Sequence, residues 1–405
     1  MVYTSIYLSG IPANQCERLA LGVLKGASLK KPKVELPMLS VFSSPGRYVQ
    51  GPDATDALGS ELKYLGFGGT VVIVASNSAT RNLGEVWKKS LGQHGFNLVA
   101  HQFPGECTAE EVQRIAALAR KSGSQVIVGA GGGKAIDAAR AAAAALDIGF
   151  VSAPTLASSD APCSALSVIY NMDGTVSEYR IFKRNPDLVL VDTCVIAKAP
   201  PRLLISGMGD ALATWFEART CAASKAMNMR GGASTRSALT LAELCYKTLL
   251  ADGVHAINAV KSGKVNDALE RLVEANTLLS GLGFESSGLA AAHAVHNGLT
   301  VMAQTRAFYH GEKVAFGVLV QLKLEGAPDH EFNEVLTFSR SVGLPVTLAG
   351  VGVKDATNAD LMAIATRTCA PGETIHNEPF AVSAEMLVEA IRDADSHADS
   401  DADLS

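Results

Sequence analysis

Between residues 70 and 192 the chain alternates short β-branched runs with helical repeats, and no other feature restricts its fold as much. The runs are "TVVIVAS" (70–76), "NLVAHQF" (97–103), "QVIVGA" (125–130), "GFVSAP" (149–154) and "DLVLVD" (187–192). Between the first four lie "NLGEVWKKSLGQHG" (82–95), "AEEVQRIAALARKSG" (109–123) and "KAIDAARAAAAALD" (134–147). Parallel strands need a crossover of about a dozen residues, usually a helix, so the alternation predicts a parallel sheet covered on both faces. Thr108 and Glu111 have the spacing of a capping box before the second helix. Past "AKAPPRLL" the pattern changes. Segments such as "SGMGDALATWFEARTCAAS" and "VNDALERLVEANTLLSGLGF" carry apolar stripes at helical spacing, and almost no strand signal remains. Pro200 and Pro201 mark the change. The predicted organisation is an N-terminal extension over 1–41, an α/β domain over 42–199, an all-α domain over 200–393 and an acidic, disordered tail over 394–405.

Composition excludes several classes. The 405 residues are 48% hydrophobic and 19% charged, too apolar for a disordered chain and long enough for two cores. Net charge is −5, and the basic residues do not cluster as a nucleic-acid surface requires. No run is long and apolar enough to cross a membrane. The seven cysteines are scattered without a CxxC pair, which fits a reduced, cytoplasmic setting. Residues 1–40 carry Arg18, Lys25, Lys30, Lys31 and Lys33 against Glu17 and Glu35, the balance of a mitochondrial targeting leader or of a plain extension.

Two stretches carry chemistry. "VGAGGGKAID" (128–137) follows a strand and opens a helix, where glycines admit a phosphate to the free N–H groups of the helix start. Val128 and Ala135 stand where a triphosphate loop needs glycine and a hydroxyl, so that reading fails. The GxGxxG pattern fails at Lys134. The second stretch, "GLAAAHAVHNGLTVMAQTRAFYHGEKVAFG" (288–317), holds His293 and His296 on one helical face and His310 at the start of the next helix. Upstream, Asp210 in "GMGDALATWFEA" is read at a helix start. One carboxylate with two imidazoles suits a first-row divalent metal with open positions. Asp210 as a helix cap and the histidines as satisfied packing residues are the plainer alternatives.

Taken in order, "GGGKAIDAARA", "TLASSDAPCSALSVIY", "GMGDALATWFEA", "FESSGLAAAHAVHNGLT", "YHGEKVAFG" and "GETIHNEP" resemble the glycerol dehydrogenase branch of the iron-containing (type III) alcohol dehydrogenases. The likeness runs from "SPGRYVQG" to about residue 390. It implies a Rossmann-like N-terminal domain, a helical C-terminal domain of the dehydroquinate synthase-like type, and an active site in the cleft between them. It implies a zinc ion on Asp210, His293 and His310, which would also meet the substrate. His296 would support or pack beside that site. It implies NAD, with the pyrophosphate on Gly131, Gly132, Gly133 and Lys134 and further nucleotide contacts at Asp137, Thr155, Ser158, Ser164, Leu166 and Tyr170. Asp160 corresponds to the residue that binds the polyol.

The implied reaction is oxidation of glycerol at its secondary hydroxyl to dihydroxyacetone, with other vicinal diols as further substrates and a homo-oligomer, possibly an octamer, as the working form. Two departures stand out. Thr214 occupies the place of a further histidine found in iron-type relatives, which agrees with a three-ligand zinc. Ser76 occupies the place of an acidic residue that holds the adenosine ribose; a carboxylate there favours NAD by repelling a 2′-phosphate, and serine does so weakly. Rival readings on the same fold are a glycerol-1-phosphate dehydrogenase, a dehydroquinate-synthase-like enzyme, and a non-catalytic polyol- or nucleotide-binding regulator.

Overall fold

The expected sheet forms around central valine and isoleucine runs that are buried on both faces. The structure, a computed structural model, describes residues 38–400; the proposed leader up to residue 37 and residues 401–405 lie outside the described part. In chain order the strands are β1 (Tyr48–Gly51), β2 (Thr70–Ala75), β3 (Asn97–Gln102), β4 (Val126–Gly131), β5 (Gly149–Pro154), β6 (Leu166–Tyr170), β7 (Val176–Ile181) and β8 (Leu188–Asp192). Six of them make one parallel sheet in the order β1-β8-β5-β4-β2-β3, and β6 with β7 forms a separate antiparallel hairpin. All five sequence-predicted strands are present. The edge strand β1 and the hairpin are additions: β1 is only four residues long, and β7 is mostly exposed, so neither shows a burial pattern.

Helices α1 (Leu58–Tyr64), α2 (Asn77–Gln93), α3 (Ala109–Ser122) and α4 (Gly133–Leu146) cover the sheet. Side chains alternate across a strand, and β2 shows where each set goes. Val71 and Ile73 pack with Leu58, Leu62, Trp87 and Leu91, whereas Val72 and Val74 pack with Val112, Ile115 and Ile136. Helix α2 begins five residues earlier than its apolar stripe, because Ser76 ends the strand and caps the helix, its Oγ accepting from Ala79 N–H. Of the capping box expected at α3, only one half forms. Thr108 Oγ1 accepts from Glu111 N–H, but the Glu111 side chain turns to His101, 2.6 Å away.

Among the described residues after Pro201 the regular elements are all helices. Following the short α5 (Thr193–Ile196) come α6 (Pro201–Ser224), α7 (Arg236–Lys261), α8 (Asp267–Glu274), α9 (Ser280–Ser287), α10 (Ala291–Leu299), α11 (His310–Leu324), α12 (Asp329–Val342), α13 (Asn358–Thr368) and α14 (Ala384–Ser400). Pro201 sits at the first helical position of α6, where its missing N–H costs nothing. A π-turn, Ala275–Leu279, joins α8 to α9. The two halves share a core: Val189 and Val191 of β8 pack among the helices, and Leu39 onward forms one compact unit. The expectation of a disordered tail from 394 is corrected through Ser400. Ile391, Ala394 and Ala398 are buried at helical spacing, and Asp395 accepts from Leu348 N–H. The alanines supply a narrow apolar stripe that the acidic composition hides. Residues 39–41 also leave the predicted extension: they pair with Ala233 through Val41 N–H and Leu39 C=O.

Candidate functional site

The site is built where α6 and α11 touch backbone to backbone. A Cβ on Gly311 would lie 1.7 Å from Ser206 C=O, and one on Gly209 would lie 2.2 Å from Gly311 C=O, so only glycine permits the crossing. Their chain neighbours Asp210 and His310 are thereby brought face to face. Asp210 is not at a helix start, as the sequence reading placed it, but well inside α6. The glycines around it serve the helix crossing rather than a turn, and its carboxylate caps nothing.

Asp210 is 1% exposed. Its Oδ2 accepts from the backbone N–H of Asp160 at 3.1 Å. Its Oδ1 lies 2.9 Å from His310 Nε2 and 3.4 Å from His293 Nε2, yet forms no hydrogen bond. The three groups come close without the alignment of a donor and an acceptor, and one ligand atom from each lies within 4.8 Å of the others. A buried carboxylate oxygen without a donor is costly. A divalent cation at the common focus would satisfy it, and one carboxylate oxygen with two imidazole nitrogens is a donor set that zinc or iron accepts. Burial alone would raise the Asp210 carboxyl, but the facing imidazoles, His310 foremost, hold it well below the usual carboxylate range. Burial alone would lower the His293 imidazole, but the carboxylates of Glu217 and Asp210 outweigh it and raise it.

The outer nitrogens of both histidines are held. Glu217, which the sequence reading left unassigned, receives His293 Nδ1 at 2.6 Å. His310 Nδ1 lies 3.1 Å from His296 Nε2, whose Nδ1 is 3.0 Å from Asn297 Oδ1. His296 therefore stands behind His310, and burial with the neighbouring cations lowers its imidazole well below the usual range. Asp160 adjoins the trio. Its Oδ2 accepts from Ser280 Oγ at 3.2 Å, and Ser280 also meets Thr214 Oγ1 at 2.8 Å. Burial, and then the charge of Asp210, push the Asp160 carboxyl well up.

Of the other sequence-selected residues, Ser76, Gly131 to Lys134, Thr155 and Ser158 follow the carboxyl ends of β2, β4 and β5, where open parallel sheets bind ligands, whereas Leu166 and Tyr170 lie in the β6 strand of the hairpin. Gly132 caps α4, Gly133 and Lys134 open it, and no acidic residue lies in its first turn. Gly129 lets that helix sit close, since a Cβ there would meet Ala139 Cβ at 2.9 Å. Thr155 N–H donates to Gly131 C=O. Lys134 lies 2.7 Å from Glu106 and over the Tyr170 ring at 4.5 Å. Two residues are used inward. Asp137 is buried against Arg140 Nη1 at 2.6 Å and Val168 N–H, and the fully buried Ser164 turns its hydroxyl to Ala161 C=O. Arg140, also buried, donates to Ala161 C=O and Leu166 C=O and so fixes the 160–166 segment to α4. From the helical side Glu285 accepts from Ala165 N–H at 2.8 Å and Asn276 donates to Ala157 C=O at 3.1 Å. Ser158 C=O faces Ser206 Oγ at 3.5 Å.

Comparison with known proteins identifies the family. Residues 45–193 match the family described as iron-containing alcohol dehydrogenase. The chain is 51% identical to a glycerol dehydrogenase of Citrobacter freundii over 358 residues, covering 88% of this chain and 98% of that protein. The chain belongs to the iron-containing alcohol dehydrogenases. Within that family it groups with the glycerol dehydrogenases, being also 50% identical to that of Pseudomonas putida over 87% of this chain and 96% of that protein. The crystal structure of glycerol dehydrogenase from Schizosaccharomyces pombe superposes with a TM-score of 0.86 at 37% identity, covering 90% of this chain and 92% of that one. The α/β sheet followed by helices is thus the fold of this oxidoreductase family, and the chain is an alcohol dehydrogenase-type enzyme. Among the described residues no helix is long and apolar enough to cross a membrane.

Proposed function

We propose that the chain oxidises glycerol at its secondary hydroxyl to dihydroxyacetone, with NAD as hydride acceptor and zinc held by Asp210, His293 and His310. The observation that carries this reading is the buried Asp210 Oδ1, which has two imidazole nitrogens within 3.4 Å and no hydrogen-bond donor. A divalent cation held there would supply Lewis acidity toward the alcohol oxygen, and a nicotinamide cofactor on the α4 loop would supply a hydride acceptor. Asp160 N–H holds one oxygen of Asp210 so that the other faces the focus. The Asp160 carboxyl, beside the trio, accepts hydrogen bonds from polyol hydroxyls and disfavours apolar alcohols. Gly131, Gly132, Gly133 and Lys134 at the start of α4 receive the pyrophosphate; Thr155, Ser158, Leu166 and Tyr170 line the path of the nucleotide, with Asp137 and Ser164 shaping it from beneath.

Three ligands with Thr214 buried against Ser280 favour zinc over iron in this reading. The names of the relatives support glycerol as substrate. Ser76 Oγ accepts from Ala79 N–H and brings no negative charge to the ribose end of the cleft, so discrimination against NADP is weak. Catalytic efficiencies with the two cofactors measure this, and a steep preference for NAD would contradict it. A homo-oligomer, as the family resemblance implies, is the proposed working form, and sedimentation velocity reads its mass. The test of function is direct: purified protein with zinc, glycerol and NAD should raise the absorbance of reduced nicotinamide. Turnover of glycerol 1-phosphate but not glycerol, or no turnover of any polyol, would overturn the reading.

A further inference from the structure

The structure assigns Glu217 as the residue that fixes which nitrogen of His293 faces the metal focus. This rests on the reading of Asp210, His293 and His310 as a cation site. Glu217 lies seven residues beyond Asp210 on α6, so one helix carries both a ligand and the support of another ligand. It is completely buried. Its Oε1 accepts two backbone N–H groups at the start of α10, those of Ala290 at 2.8 Å and His293 at 2.9 Å. Its Oε2 lies 2.6 Å from His293 Nδ1. An ionised carboxylate only accepts, so the proton of a neutral His293 sits on Nδ1 and the lone pair on Nε2 faces Asp210.

The start of α10 is held rigidly around this contact. A helix leaves its first N–H groups without partners, and here side chains take them in turn. Glu378 Oε1 accepts from Ala291 N–H at 3.2 Å and Gln321 Oε1 from Ala292 N–H at 3.0 Å. Ring orientation is thus set by backbone and imidazole through one carboxylate. An amide at 217 would keep one oxygen and add an N–H donor, so either the two backbone N–H groups or Nδ1–H would face a donor. A carboxylate behind a metal-binding histidine also raises the basicity of the ligating nitrogen, and losing such a partner costs about 10–100-fold in metal affinity.

The experiment measures zinc dissociation constants by competition with a chromogenic chelator, alongside melting of the metal-free protein. Glu217→Gln should weaken zinc binding at least about 10-fold. Gln321→Leu, which uncaps α10 without touching the imidazole, should lower the melting temperature and leave zinc affinity within about threefold. Should Glu217→Gln fail to fold, Glu217→Asp is compared with Gln321→Leu in the same way, because its shorter arm cannot reach both the backbone and Nδ1. Zinc affinity equal to wild type in the Glu217 variant, with melting alone affected, would reduce Glu217 to a helix cap and overturn the assignment. Failure of the wild-type chain to bind zinc would sink the cation site itself, a separately visible outcome.

Discussion

At the scale of single residues, the site depends on a carboxylate oxygen and two imidazole nitrogens that come close without hydrogen-bond alignment. His310→Ala removes one of the three proposed ligands, at the start of α11. It should abolish metal binding and lower kcat/KM by more than the roughly 10–100-fold that loss of an orienting partner costs, with an unchanged circular dichroism spectrum. Asp160→Asn keeps the shape but puts an amide N–H2 where a carboxyl oxygen accepts from substrate hydroxyls. A neutral hydrogen bond contributes about 0.5–1.5 kcal/mol, so KM for glycerol should rise roughly 2–10-fold with the KM for NAD little changed. Glu378 gives a pH dependence of stability. Burial, then the nearby Glu325 carboxylate, raise it from 4.5 to about 8. A carboxyl with a raised folded pKa holds its proton longer in the native state, so stability falls as pH climbs from about 4.5 to about 8. Glu378→Gln mimics the protonated acid. Its melting temperature relative to wild type should increase between pH 5 and pH 9, and a difference constant with pH would contradict the assignment. Of these residues, Asp210, His293 and His310 were legible only through the likeness of their motifs to the glycerol dehydrogenases, since spacing does not show that segments so far apart in the chain converge as they do. Glu217 was not: an acid within "ATWFEA" reads as an ordinary helical charge until the partner helix is known.

At the scale of elements, two contacts decide whether the residues meet. The α6–α11 crossing requires glycine, and Gly311→Ala would place a Cβ 1.7 Å from Ser206 C=O. The helices must then separate, at a cost of about 1–3 kcal/mol or more, and zinc affinity should fall together with the melting temperature. The second contact is the buried Arg140–Asp137 pair that ties α4 to the segment carrying Asp160. Arg140→Met leaves Asp137 buried and unpaired, which typically costs 3–5 kcal/mol, measurable by denaturant unfolding. The parallel strands were legible because burial on both faces forces unbroken β-branched runs. The β6–β7 hairpin was not, since its second strand is mostly exposed and its residues alternate no burial. The end of α14 was hidden for the opposite reason: Ala394 and Ala398 bury so little apolar surface that acidic neighbours mask their spacing.

At the scale of the whole molecule, a parallel sheet presents the carboxyl ends of β2, β4 and β5, and a helical array brings α6, α10 and α11 to the same place. The change of pattern at Pro200–Pro201 was readable as a change of architecture. The shared core, in which β8 packs among the helices, depends on long-range contacts that periodicity does not encode. If the cation joins α6, α10 and α11, its removal should lower the melting temperature as well as the activity, and added zinc should restore both. The most direct measurement is anomalous diffraction at the zinc absorption edge from crystals grown with zinc. The account predicts a single strong peak within about 2.0–2.2 Å of Asp210 Oδ1, His293 Nε2 and His310 Nε2. No peak among those atoms, or zinc held by other residues instead, would contradict it.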